Sequence, residues 1–276
     1  MDALVDAFTQ QVMANEKQIR LAIFFGVFVV MALWEIVAPR RQLTQPKSIR
    51  WLNNIGINVL NTIIIRLLFP AAAVGMAVFV QEKQWGLFHW LELSALVEVI
   101  VGLLLLDLAI YGQHVMVHYV PLFWRFHRMH HADLDLDVTS GARFHPVEII
   151  FSMLLKFLII SLIGPPIVAV FLFEAILNGA AMFNHSNVRI PVALDRVLRW
   201  FIVTPDMHRV HHSIIVKETN SNFGFNFPWW DRLFRTYRYQ PEQGQLGMTI
   251  GIDNFRDTKT CEWLPGMLKI PFIRQK

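Results

Sequence analysis

The chain has 276 residues, 54% of them hydrophobic and 17% charged, with a mean hydropathy of +0.41. These values lie far from the soluble average and indicate a membrane protein, long enough for one or two domains around a large core. The net charge of +4 does not imply nucleic acid, since the basic residues form no stripe. The one cysteine, Cys261, excludes an intrachain disulfide, a CxxC pair and an iron–sulfur cluster.

In chain order, residues 1–20 read as a polar, amphipathic segment with no cleavable signal peptide. Five apolar segments follow, predicted as helices over about Leu21–Ala38, Ile55–Val80, a run from Leu91 into the first histidines, Val147–Ile163 and Ile167–Phe183. The last two flank Gly164, Pro165 and Pro166, which read as the tip of a short membrane hairpin, 147–183. The expected fold is an all-α integral membrane protein with about four to five transmembrane helices and a cytoplasmic, helical, histidine-rich cap. Its parts would be an N-terminal segment 1–20, spans in 21–113, a histidine-rich region 114–239 and a cytoplasmic tail 240–276.

Lys and Arg counts orient the spans. Arg40, Arg41, Lys47 and Arg50 follow the first segment and Arg125, Arg128 and Arg143 follow the third, whereas the loop 81–90 carries only Lys83. The N-terminus is therefore expected outside and the C-terminus in the cytoplasm, in a cell (inner) membrane. Parity puts 114–145 and the chain from 184 onward on one face.

Charges within apolar spans need partners. Lys156 and Glu174 lie nine residues either side of Pro165, so an ion pair between the hairpin arms is expected. Arg66 and Asp107 form a second candidate pair; Asp107, seven residues before His114, alternatively belongs to the polar surround of a metal site.

Eleven histidines carry the chemistry. His114 and His118 are four apart, and the pattern HxxHH occurs at His127, His130 and His131 and again at His208, His211 and His212. Chance places roughly 0.02 such triplets in a chain of this composition, so two copies are a signal. Positions i and i+4 share a helix face, and three rings of a triplet are expected to converge from one turn. Imidazole suits iron, zinc, copper and nickel rather than magnesium or calcium, which makes a transition-metal site the direct reading. His185, in the run Asn184-His185-Ser186-Asn187, is a further candidate. Asn178, seven residues before it, either holds a water there or bonds between helices. The aromatic stretch Ser221–Tyr237 is expected to lie over the mouth of the site, and Leu264–Phe272 to contact lipid. His89, alone in the outer loop, is expected to be structural.

In this order and with these gaps, HxxxH, HxxHH, RFHP (Arg143–Pro146), NHSN, TPxxHRxHHS and NFG with WDRLFRTY resemble the fatty acid hydroxylase and sterol desaturase superfamily over about Asp107–Tyr237. The resemblance implies a membrane enzyme holding two iron ions at its cytoplasmic face and using O2 and two electrons to hydroxylate or desaturate lipid C–H bonds. Carried over by position, the metal ligands would be His114, His118, His127, His130, His131, His185, His208, His211 and His212. His145, Asp107, Asn178 and Asn184 would lie around them or near substrate. Some members place another histidine four residues before the position of His185; here Ala181 stands there, which would leave a water or an open position. No haem module, flavin or nicotinamide fingerprint accompanies the histidines, so electrons would come from a separate ferredoxin- or cytochrome-type partner with its reductase. Two other readings are a bis-histidine membrane haem protein and a zinc hydrolase or transporter. Pairs at i and i+4 cannot grip opposite haem faces, and HExxH is absent.

Overall fold

Long apolar runs interrupted by glycine and proline fold as helices that break where those residues stand. In the computed structural model, which describes residues 2–91 and 93–274, α1 (Asp2–Ala14) leads into α2 (Glu16–Val37), α3 (Lys47–Leu68), α4 (Ala72–Glu82) and α5 (Ala95–Tyr119). Then come α6 (Pro121–His131), α7 (Pro146–Ile163), α8 (Ile167–His185), α9 (Val192–Leu198) and α10 (Pro205–His211). Five short helices complete the cap: α11 (Val216–Thr219), α12 (Trp229–Leu233), α13 (Gly244–Gly247), α14 (Thr258–Glu262) and α15 (Leu264–Lys269). Among the described residues only isolated β-bridges form, such as Pro39 with Val188.

Five stretches are long and apolar enough to cross a bilayer: α2, the region Lys47–Trp90, α5, α7 and α8. At 22 residues α2 is about 33 Å long, enough for a hydrocarbon core of about 30 Å. The second span differs from the continuous run over Ile55–Val80. It breaks at Phe69-Pro70-Ala71, because Pro70 has no N–H to donate and its ring drives Phe69 out of the helical region, to φ −133° and ψ 68°. It also begins earlier, at Lys47, since Arg50, Asn53 and Asn54 are buried against the cap. α1 is not a free leader: Val12 is buried in the same core as Leu106, Ile110 and Phe171.

α8 is the central helix, packed against α2, α4, α5, α10 and the 3-10 turn Ser140–Ala142. The hairpin tip turns at Gly164 in the left-handed conformation (φ 68°), against Gly86 (φ 100°). A Cβ on Gly86 would sit 2.3 Å from the Gly164 nitrogen, so the two turns touch only because both are glycine. The expected ion pair is present, with Lys156 Nζ 2.9 Å from Glu174 Oε1, and Arg20 of α2 joins it at 2.9 Å from Oε2. One carboxylate thus holds three helices together. Arg66 and Asp107 do not pair. Arg66 is exposed on α3, and Asp107 accepts from the Trp230 indole N–H at 2.7 Å.

On the cap side, a buried charge cluster joins distant segments. Arg50 Nε lies 3.0 Å from Asp137 and its Nη1 pairs with Asp133, while Arg143 Nη1 lies 3.4 Å from Glu262. All these side chains are fully buried, so Arg50 and Arg143 serve as structural charges as well as topology signals. The Glu262 carboxylate also accepts from the Leu134 amide at 2.9 Å. It draws the C-terminal segment into the cap, where Met267 and Ile270 pack with Ile57, Met129 and Ala132. The lipid contact expected of Leu264–Phe272 is therefore corrected: of its large apolar side chains, only Phe272 is largely exposed.

Replacing Glu174 with Ala strands Lys156 within the spans and leaves Arg20 only Glu16, 2.8 Å from its Nε; it is expected to cost about 3–5 kcal/mol, read as a lowered thermal midpoint in detergent. Lys156→Met leaves Arg20 as a partner and should cost less; equal midpoints for both variants and wild type would contradict the three-helix ion cluster.

Candidate metal centre

The histidines sit on helix ends that the sequence aims at one place. The last turns of α5 carry His114 and His118, and the last residue of α8 is His185. Each HxxHH triplet stands at the end of a short helix opened by proline at its first position, Pro121 in α6 and Pro205 in α10, with His212 just past the end of α10. That position suits proline because its missing N–H would have no partner there anyway. Thr204 caps α10 by accepting from the Met207 amide at 3.3 Å.

The nine histidines form two buried groups. His114, His118, His127, His131 and His211 make one, His130, His185, His208 and His212 the other, with the ligand nitrogens of each within 4.8 Å of one another. The triplets do not converge as units, which corrects the expectation of three rings from one turn. In α6 the i, i+4 pair His127 and His131 serves the five-histidine group and His130 turns to the other. In the second triplet His208 and His212 serve the four-histidine group and His211 crosses over. Each helix thus lends one ring to its neighbour's group, because i+3 falls to one side of the i, i+4 face.

Outer nitrogens fix the rings. Nδ1 donates to a backbone carbonyl from His114 (Phe223, 2.7 Å), His211 (Ser221, 2.7 Å), His130 (Arg143, 3.1 Å) and His185 (Ala181, 2.8 Å). His127 Nδ1 meets Glu148 Oε1 at 2.6 Å, and His118 Nδ1 meets Asn220 Oδ1 at 3.2 Å. A proton on Nδ1 leaves a lone pair on Nε2. The Nε2 atoms of His114, His118, His127, His131, His211 and His212 are buried without a hydrogen-bond partner. In the other group His185 Nε2 lies 3.1 Å from His130 Nε2 and 3.0 Å from His208 Nε2. Two ligands at right angles on one ion, each about 2.1 Å away, stand about 3.0 Å apart. The donor set therefore fits transition-metal ions, which would occupy what are otherwise facing lone pairs. Burial, and then the neighbouring imidazoles, hold His130, His131, His208, His211 and His212 well below the usual histidine pKa, so they are neutral and ready to ligate near pH 7.

Among the described contacts, none of the other expected residues bonds to a clustered histidine. His145 caps α7, accepting from the Val147 amide at 3.2 Å, and packs on Phe126 rather than on the histidine groups. Its neighbours do the work at the centre: Arg143 by its carbonyl, Phe144 by stacking on His130 at 4.5 Å, and Glu148 by its carboxylate. Asp107 braces the aromatic loop through Trp230 and makes no histidine contact among those described. Asn178 is exposed on α8, away from both groups. Asn184 is buried and donates to the Phe225 carbonyl at 3.0 Å. At Ala181 the backbone of the turn at Gly141 presses close, a Cβ on Gly141 falling 2.4 Å from the Ala181 oxygen. His89 is exposed beside Trp90.

Sequence reasoning missed Glu148, Asn220 and Asp231. The first had a signal: an acid in the opening turn of an apolar helix, three residues after His145, needs a partner. Asp231 accepts from the amides of Phe223 and Gly224, both at 2.8 Å. It thereby shapes the loop whose Phe223 and Phe225 rings close over the histidines, 5.6 and 5.5 Å from His114.

Comparison with known proteins follows the same residues. The family model for fatty acid hydroxylase matches residues 99–236. The ornithine lipid hydroxylase OlsE of Rhizobium tropici is 27% identical over 262 residues, 92% of this chain and 75% of that protein. Human alkylglycerol monooxygenase is 27% identical over 153 residues, 55% of this chain and 33% of its own length. The cholesterol 25-hydroxylase of Rattus norvegicus is 26% identical over 159 residues, 56% of this chain and 52% of its own. The chain thus spans only a third to a half of the latter two. No solved structure matches it significantly. The family match covers half of the chain and contains all nine clustered histidines, and the chain belongs to the fatty acid hydroxylase family.

Proposed function

We propose that this protein is a di-iron membrane oxygenase that hydroxylates an unactivated C–H bond of a membrane lipid. The reaction is R–H + O2 + 2 electrons + 2 protons giving R–OH + H2O. The observation that carries it is the division of nine buried histidines into two groups with their free nitrogens turned inward. Iron held there would supply the two-electron activation of O2 that side chains alone cannot perform. Hydroxylation is preferred over desaturation because the relatives above are hydroxylases and a monooxygenase. Their names cover an ornithine lipid, alkylglycerols and cholesterol, so the substrate class proposed is a lipid with a polar head.

The chain's own residues hold, orient and shield. Neutral imidazoles bind cations without burying negative charge at the bilayer, and Phe223 and Phe225 keep bulk water away from them. Among the described residues Glu148 is the one carboxylate bonded directly to a clustered histidine, so it adds negative charge to the five-histidine group alone. The four-histidine group offers one ligand fewer, which leaves more room for a small molecule beside it. A separate ferredoxin- or cytochrome-type donor with its reductase would deliver electrons. We place the protein in the cell membrane, and the excess of Lys and Arg on the cap side supports an orientation with the metal centre and C-terminus cytoplasmic and the N-terminus outside.

Elemental analysis of detergent-purified protein is expected to give close to two irons per chain. His211→Ala and His130→Ala should each lose metal and turnover, while His89→Ala retains both; no bound metal in wild type, or a single haem iron, would reject the proposal. Glu148→Gln keeps the shape but removes the charge behind His127, with an expected 10–100-fold loss of metal affinity or activity; a chelator titration unchanged from wild type would show that the charge plays no part. Because burial lowers the pKa values of His130, His131, His208, His211 and His212, protons compete with metal at these residues only in acid. Metal content should be the same at pH 7.5 and pH 6.5 and fall only below that; steep loss across pH 6.5 would mean ordinary, exposed imidazoles.

A further inference from the structure

A groove of about 510 Å³ runs along the seam between α2 and α8 and ends beneath the cap. That size lies within the roughly 300–1,000 Å³ typical of ligand pockets. Ile23 and Val27 of α2 face Leu172, Ile176 and Gly179 of α8 across it, and Phe183, Val203, Asn226 and Phe227 close its cap end. None of the nine clustered histidines lines it.

Three features define what fits. From Leu172 to Phe183 the helix rises about 16 Å, close to half of a hydrocarbon core of about 30 Å, so the groove is as deep as one leaflet. Its open side faces outward between apolar side chains, since the lining residues Ile176 and Ile202 are exposed. Its cap end is polar: Asn226 is only 3% exposed, yet its Oδ1 has no hydrogen-bond partner, and such a buried acceptor calls for a donor. That end also adjoins the metal centre. Phe183 lies two residues before His185 and Val203 five before His208. The Phe225 ring, next in sequence to Asn226, stands 6.4 Å from His185 and 6.0 Å from His208.

We propose that this groove binds one hydrocarbon chain of a bilayer lipid in its leaflet orientation, with a donor-bearing polar head at Asn226 and the terminal methyl toward Leu172. Binding rests on the groove itself. Its consequence for chemistry rests on the oxygenase reading above: the carbons nearest the head lie beside Phe225 and the four-histidine group, so the hydroxyl is placed near the head rather than at the chain end.

The wall at Gly179 allows a direct test, because a Cβ there would meet only Val27 Cγ2, at 3.9 Å. Gly179→Ala should therefore be tolerated, while Gly179→Trp fills the groove; Ala175→Leu, on the same wall, is the second blocking variant. Purified protein is placed in vesicles containing phosphatidylethanolamine with a diazirine either at the third acyl carbon or at the chain terminus. After irradiation, labelled peptides are mapped and metal content is read on the same samples. The third-carbon probe is expected to label Val203 and residues 225–227, and the terminal probe Ile23–Val27 and Leu172–Ile176. Both labels should fall at least tenfold in a blocking variant that keeps its metal, with labelling of exposed Leu154 and Leu158 of α7 as the unchanged reference. Equal labelling in wild type and blocked protein, or the two probes in reversed order, would overturn the proposal. Failure of the oxygenase reading would show separately, as wild type without bound metal but with its labelling intact.

Discussion

The constraint on which this structure depends is that several buried imidazole lone pairs point into the same small spaces. A buried acceptor without a partner costs roughly 1–3 kcal/mol, and at least six Nε2 atoms are in that condition here. A cation at each group would remove the cost for all its nitrogens at once. The remainder of the cap is built to keep those lone pairs aimed: carbonyls of Phe223, Ser221, Arg143 and Ala181 hold the far side of four rings, and each of those carbonyls belongs to a segment fixed by something else.

That second layer of fixing explains why so much charge is buried far from the histidines. Arg143 offers its carbonyl to His130 while its guanidinium pairs with Glu262, and Glu262 in turn holds the loop after α6 at Leu134. Arg50 ties α3 to the same loop through Asp133 and Asp137. The C-terminal segment therefore braces the candidate metal centre through Arg143 and the loop at Leu134, although it supplies none of the clustered histidines. Such buried pairs add little net stability but make the loss of either partner costly, which suits a role in setting one arrangement over others.

Much of this was legible in the sequence because helical periodicity is a local rule. The spans, the Gly164 turn, the Lys156–Glu174 pair and eight of the clustered histidines follow from spacing along single helices or across one hairpin, whereas His185 stood out only by its place at the end of a span and by the family resemblance. What was hidden depends on contacts between distant segments. Nothing near Asp107 tells that Trp230, over a hundred residues away, will take its carboxylate in place of Arg66. The amphipathic look of Leu264–Phe272 is the same for a lipid-facing helix and for one packed on Met129 and Ile57. His145 was read with its motif, yet the motif's work passes to Arg143, Phe144 and Glu148, since a residue between a turn and a helix start is well placed to cap the helix.

The exchange of one ring between α6 and α10 has a consequence for how the centre assembles. An ion in the five-histidine group would draw on His127 and His131 from one helix and His211 from the other; an ion in the four-histidine group would draw on His208 and His212 from the second and His130 from the first. Filling either group therefore fixes both helices, and the ordering entropy of the second group is already spent when its ion arrives. Two ions held there would therefore bind with positive cooperativity, half-filled molecules would be scarce, and the chain would pass between empty and complete in nearly a single step.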